Sequence, residues 1–150
     1  MKQVILHNIR SHYNVGAIFR TADGAGVSKI YLSGYTPAPE DRFGREVGEI
    51  SKTALGAEKF VAWEKIDDTL TIVRKLKAEG MTAVAVEQSD NSVMLNDFVV
   101  PEKVVYIFGS ETEGVPPEVL AEVDVVLELP MLGHKESLNV SVTAGIVLFH

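Results

Sequence analysis

Short runs of apolar residues rich in valine and isoleucine recur at QVILHNI, KIYLSG, KFVAW, MTAVAVE, KVVYIFGS and VVLELP. Runs of that length, bounded by polar and turn-forming residues, predict β-strands. Elsewhere the spacing turns helical. Ile66, Leu70, Val73 and Leu76 predict a helix over Ile66–Glu79 that stops at Gly80, and a second is predicted over Val15–Ala25, ending at Gly26. Pro116-Pro117 opens a third, PPEVLAEV, with proline in the first turn, where no amide hydrogen is needed. The last stretch, HKESLNVSVTAGIVLFH from His134 to His150, divides into a polar start over 134–139 and a buried helical tail from Val140. A cap at Ser137, with Ser141 and Thr143 bonding back to carbonyls, accounts for part of its polar pattern.

Strands alternating with helices predict an α/β domain whose mainly parallel sheet carries helices on both faces. A chain of 150 residues with 46% hydrophobic content makes one domain, 1–150, with a sizeable core. The one long irregular stretch, Gly34 to about Glu49, has the length of a functional or mobile loop. No segment approaches a membrane span, and the start MKQVILHNIRS has no signal-peptide pattern. The absence of cysteine excludes disulfides, thiolate zinc sites and a cysteine nucleophile, and suits a cytoplasmic location. His7, His12, His134 and His150 show no metal spacing, so no metal is expected; His12, beside Asn14, is either a proton acceptor or a plain loop histidine.

Net charge is −7, which by itself argues against a polyanionic partner. Its distribution changes that inference. Residues 1–65 hold nine Lys/Arg against seven Asp/Glu, whereas residues 104–150 hold only Lys135 against seven acids. If the protein touches a polyanion, the N-terminal half does so.

In open α/β sheets ligands sit at the carboxyl ends of strands. Three exits carry candidate chemistry: Gly109-Ser-Glu-Thr-Glu-Gly114, Leu129-Pro-Met-Leu-Gly133 and Glu87-Gln88-Ser89. The glycine-flanked loop 109–114 lacks the phosphate-binding patterns, and Glu111 and Glu113 would repel a phosphate. It suits a ligand with hydroxyls, amino groups and a positive centre, or else is an ordinary tight connection with solvated acids. Near the start, Asn14 can cap the helix that carries Arg20, while Ile18 and Phe19 face the core. Arg20 is either functional or paired with Asp23 or Asp124.

Three stretches, NVGAIFRTADGAG, IFGSETEGVP and LPMLGHKESLNVSVTAG, resemble in order and spacing the three motifs of the SpoU/TrmH group of SPOUT RNA methyltransferases, and ISKTALGAEKFVAWE resembles the segment between the first two. The resemblance covers essentially the whole chain. It implies a C-terminal deep trefoil knot, S-adenosylmethionine as cofactor, a homodimer, and methyl transfer to a ribose 2′-hydroxyl of tRNA or, alternatively, rRNA. It also implies catalytic roles for Asn14, Arg20, Glu111, Ser137 and Asn139, and cofactor contacts at Gly109, Gly114, Leu129, Met131, Ser137 and Leu138. Val86 and Glu87 join the cofactor set by position alone.

An arginine is protonated at ordinary pH, so Arg20 more easily holds a phosphate and polarises the hydroxyl than acts as a base. The RNA would face Arg10, Arg20, Arg42, Arg45 and Lys52. Family members often carry an N-terminal RNA-binding domain and a longer last helix; from this chain, RNA capture is expected to fall to the catalytic dimer or a partner protein. Two further readings compete: a non-catalytic knotted RNA- or cofactor-binding relative, and a flavodoxin-like nucleotide binder, which would need phosphate-cradling loops.

Overall fold

The computed structural model describes residues 1–150. Seven strands form one parallel sheet in the order β3-β2-β1-β6-β4-β7-β5. In chain order the strands are β1 (Lys2–His7), β2 (Lys29–Ser33), β3 (Ala62–Ile66), β4 (Thr82–Val86), β5 (Val93–Met94), β6 (Val104–Phe108) and β7 (Val125–Glu128). The helices are α1 (His12–Gly24), α2 (Gly48–Ala54), α3 (Thr69–Ala78), α4 (Pro117–Leu120) and α5 (Val140–Leu148).

Because side chains alternate across a strand, each central strand feeds two cores. Val4, Leu6, Ile30, Leu32, Val84, Val104 and Tyr106 face one layer, formed by α1, α2 and α5. Ile5, Tyr31, Ala83, Ala85, Val105 and Ile107 face the other, formed by α3 and α4. Apolar residues on both faces are what the near-continuous runs of these strands encode, and a covered parallel sheet is the arrangement that buries them.

Several boundaries differ from the expected ones. Lys59–Val61 lie in a 3-10 turn and its exit rather than in a strand, so β3 begins at Ala62. Helix α3 starts at Thr69, because the Asp68 carboxylate accepts from the Thr71 amide at 3.1 Å and caps it. Residues 117–120 make a single helical turn. Helix α1 begins at His12 and is capped by Ser11, whose hydroxyl accepts from the Asn14 amide at 3.1 Å; Asn14 is inside the first turn and is not the cap. Helix α5 is capped by Asn139, not Ser137: the Asn139 Oδ1 accepts from the Ser141 amide at 2.9 Å and from the Ser141 hydroxyl at 2.6 Å.

The irregular stretch after β2 runs into α2, which the apolar pattern did not predict. Its packing explains it: a Cβ added at Gly16 of α1 would lie 2.0 Å from Thr53 Oγ1 and 2.3 Å from the Ile50 carbonyl oxygen. The two helices touch through their backbones, and Ile50 and Ala54 are buried there. At the other end of the chain α5 is held by Lys2 Nζ, which donates to the Leu148 carbonyl at 2.7 Å, and by the His150 ring, 3.0 Å from the Phe98 carbonyl oxygen. No helix is long and apolar enough to cross a membrane.

Candidate active site

All seven strands run the same way, so their carboxyl ends share one edge of the sheet. A cleft of about 510 Å³ opens there, over the ends of β4, β6 and β7. The three candidate exits converge on it. Val86 and Glu87 come from the end of β4; Gly109, Glu111 and Gly114 follow β6; Leu129, Met131, Ser137 and Leu138 follow β7. Positions more than 50 residues apart in sequence are neighbours because β4 pairs with both β6 and β7.

The loop 109–114 folds back on itself. The Gly114 amide donates to the Ser110 carbonyl at 2.8 Å, and the Ser110 hydroxyl accepts from the Thr112 and Glu113 amides at 3.2 Å each. A Cβ at Gly109 would sit 2.3 Å from the Gly114 carbonyl carbon, so only glycine permits the turn. Gly114 is left-handed, with φ +69, and its Cα side is closed by Glu87, whose Oε2 would meet an added Cβ at 2.3 Å.

Two carboxylate contacts suspend this loop. Glu87 Oε2 accepts from the Val115 amide at 3.0 Å, tying the loop to the end of β4. Glu111 Oε1 accepts from the Asn14 side-chain amide at 2.9 Å, tying it to α1. Asn14 is buried, and this bond is what its side chain does in place of capping.

Not every expected site residue joins the cleft. Arg20 lies on α1 outside its lining, exposed, with neither Asp23 nor Asp124 as an ion-pair partner; Asp124 pairs with Lys77 at 3.2 Å. Asn139 is also outside the lining, its side chain engaged in the α5 cap. Thr143, Glu128 and Glu136 line the cleft and had not been singled out, and Gln88 and Glu113, named only as members of their strand exits, line it too. For Thr143 the signal was present: it follows Asn139 by four residues, one helical turn above the cap.

The lining contains Glu87, Glu111, Glu113, Glu128 and Glu136 and not one Lys, Arg or His. Such a surface repels a phosphate and favours a ligand bearing positive charge, while Val86, Leu129, Met131 and Leu138 supply apolar wall. The lining thus fits S-adenosylmethionine, whose sulfonium and amino groups are cationic and whose adenine has flat apolar faces. No group of three or more His, Asp or Glu is placed to hold a metal ion.

Two histidines flank the site. His7, at the end of β1, is half-buried with its Nδ1 2.6 Å from the Thr69 hydroxyl; burial lowers its pKa against the opposing pull of Glu118 and Glu113. His12 is exposed and is the first residue of α1 rather than part of a loop.

An open parallel sheet with an acid-lined cleft at its carboxyl edge defines an α/β ligand-binding domain. The family is defined by comparison: the chain belongs to the SpoU rRNA Methylase family, whose model matches residues 1–149. It is 32% identical over 146 residues to a tRNA (guanosine(18)-2′-O)-methyltransferase of Aquifex aeolicus, covering 97% of this chain and 66% of that one. It is 31% identical to the 23S rRNA (guanosine-2′-O-)-methyltransferase RlmB of Neisseria meningitidis, covering 97% of this chain and 55% of the relative. An AdoMet-bound rRNA methyltransferase from Sinorhizobium meliloti superposes with a TM-score of 0.86 at 31% identity, over 99% of this chain and 54% of that one. The chain therefore spans between about half and two thirds of the length of these relatives.

Proposed function

We propose that this domain is an S-adenosylmethionine-dependent methyltransferase that modifies a ribose 2′-hydroxyl of RNA in the cytoplasm, with tRNA as the first substrate class and rRNA as the alternative. The observation that carries the reading is the cation-free, carboxylate-lined cleft at the point where the second and third motif segments meet the end of β4. When bound, the cofactor supplies a methyl group on a positively charged sulfur. Gly109 gives it close access to backbone, Leu129 and Leu138 hold the adenine, Val86 and Met131 add apolar wall, and the glutamates complement its charge.

The chain's own contribution to catalysis is placement. Asn14 fixes Glu111 and so the loop 109–114. Arg20, free of ion pairs, is assigned to the RNA, where its planar guanidinium holds the phosphate beside the target ribose and polarises the 2′-hydroxyl. Ser137 lines the reaction centre, and Asn139 acts by fixing the helix start next to it. Arg10, Arg42, Arg45 and Lys52, all exposed, extend the basic surface for RNA.

Two finer features belong to the same reading. The first is a trefoil knot: the connection between β4 and β6 touches the C-terminal segment both before and after α5, through Gln88 on the Glu136 carbonyl and through Phe98 on His150. The second is a homodimer. Val142 and Ile146 on α5 and Phe149 at its C-cap form an exposed apolar stripe at helical spacing, and Tyr13 on the adjoining α1 is 69% exposed. Light scattering is expected to give twice the 16.4 kDa chain mass for the wild type and the single mass for Ile146→Glu. A wild-type monomer at micromolar concentration would refute the dimer.

The reaction is tested by supplying S-adenosylmethionine labelled in the methyl group with unmodified tRNA or rRNA and mapping alkali-resistant linkages. Transfer to either pool supports the proposal. Binding of the cofactor without transfer to either RNA would favour the non-catalytic relative.

A further inference from the structure

Two aromatic rings stand exposed on the long connection after β2. Tyr35 is 49% and Phe43 66% exposed, although burying either would be favourable by about 1.5–3 kcal/mol. Each lies beneath guanidinium groups. The Arg10 carbon sits 5.7 Å from the Tyr35 ring centre, and those of Arg42 and Arg45 sit 4.8 and 4.9 Å from that of Phe43.

Neither ring is on slack chain. The Asp41 carboxylate accepts from the Phe43 amide at 2.8 Å and the Arg45 amide at 3.0 Å, while its second oxygen accepts from Arg45 Nε at 2.9 Å. Gly44, with φ +75, makes the turn, and pairing of Glu40 with Glu46 closes it. Tyr35 is fixed in the same manner, its amide donating to Asn8 Oδ1 at 3.0 Å. Side-chain clamps thus hold the backbone beneath each exposed ring, which lowers the ordering cost of binding a ligand there.

Position adds to this. Arg10 follows β1, and Tyr35 and Phe43 follow β2, so all three leave the sheet at the edge that carries the cleft. Strand β2 is two strands from β6, which is about 10 Å along that edge at the usual strand spacing.

We propose that Tyr35 and Phe43, with the guanidinium groups of Arg10, Arg42 and Arg45, form a stacking platform for unpaired bases of the RNA that flank the methylated nucleotide. The proposal rests on the RNA-methyltransferase reading and deepens it by specifying single-stranded substrate at this surface. Aromatic rings and guanidinium planes both accept a base face, and the charges of Arg10 and Arg42, which have no carboxylate partner, meet the phosphates between them. Bases inside a duplex already stack on one another and have no free face to offer. A hairpin loop or other unpaired segment is therefore the form of RNA this surface selects.

The test compares wild type, Phe43→Ala, Phe43→Tyr and Arg42→Ala for binding to a short unstructured oligoribonucleotide and to a duplex of the same length, with S-adenosylmethionine affinity measured alongside. Phe43→Ala is expected to bind the single strand about 5- to 150-fold more weakly, the range for losing one stacked base. Phe43→Tyr keeps the ring and should restore binding, Arg42→Ala should weaken both RNAs, and cofactor affinity should stay as in the wild type. Phe43→Ala binding the single strand as well as the wild type does, or losing duplex equally, would overturn the platform and leave the enzyme reading standing. A wild-type protein that binds the cofactor but no RNA at all would instead overturn the enzyme reading, and the platform with it.

Discussion

Replacing Arg20 by alanine is expected to lower the rate of methyl transfer by about 100-fold or more while leaving S-adenosylmethionine affinity unchanged. The separation follows from geometry: Arg20 is exposed on α1 and takes no part in lining the cleft, so its removal leaves the cofactor site intact. Its loss should be felt in placement of the ribose, since a displacement of about 1 Å in a reacting group can cost 100-fold. Arg20→Lys keeps the charge but not the planar fork, and should recover only part of the rate. Single-turnover kinetics at saturating cofactor, with isothermal titration of the cofactor in parallel, make the measurement. Wild-type turnover by Arg20→Ala would remove this residue from the mechanism.

Gly109→Ala should produce the second large effect, and of the opposite kind. The added methyl would lie 2.3 Å from the Gly114 carbonyl carbon and 2.5 Å from the Val115 amide nitrogen, both backbone atoms. The turn must open, and with it the bonds that Glu87 and Asn14 make to hold it. Overpacking of this sort costs about 1–3 kcal/mol, which for a domain of this size lowers the melting temperature by roughly 2–12 °C. Cofactor affinity should fall at least about tenfold, the equivalent of 1.4 kcal/mol. Calorimetric unfolding and cofactor titration on the same sample decide it, and a variant with unchanged affinity would show that the cleft does not depend on the closed turn.

The central strands were legible because both faces of each are apolar, which leaves few alternatives for runs such as VILH and VVYIF, whereas the two-residue, exposed β5 was not foreseen. Helix α2 was not, because only Ile50 and Ala54 of its seven residues are buried and it owes its place to backbone contact with Gly16. A periodic pattern records burial of side chains; it does not record two backbones touching. The cap positions were misread for a related reason. Asn14 and Asn139 are both good capping residues, yet Ser11 starts one helix and leaves the Asn14 side-chain amide free to donate to Glu111, while Asn139 takes the cap expected at Ser137.

Most of the cleft was readable from strand exits alone, and its acidity from the charge asymmetry. The suspension of the loop by Glu87 was hidden, since a carboxylate one residue past a strand looks the same whether it meets a ligand or a backbone amide.

The register of the sheet also shapes how the chain can be made. Strand β1 lies between β2 and β6, with Gln3 opposite Lys29 on one side and Val105 on the other. Synthesis at about 5–20 residues per second therefore leaves one edge of the first strand without its partner for about 5–20 seconds, until the sixth has left the ribosome. During that interval Val4, Ile5 and Leu6, wholly buried in the finished domain, lack half of their cover. The nascent chain thus has an apolar edge open to other chains before its centre can close.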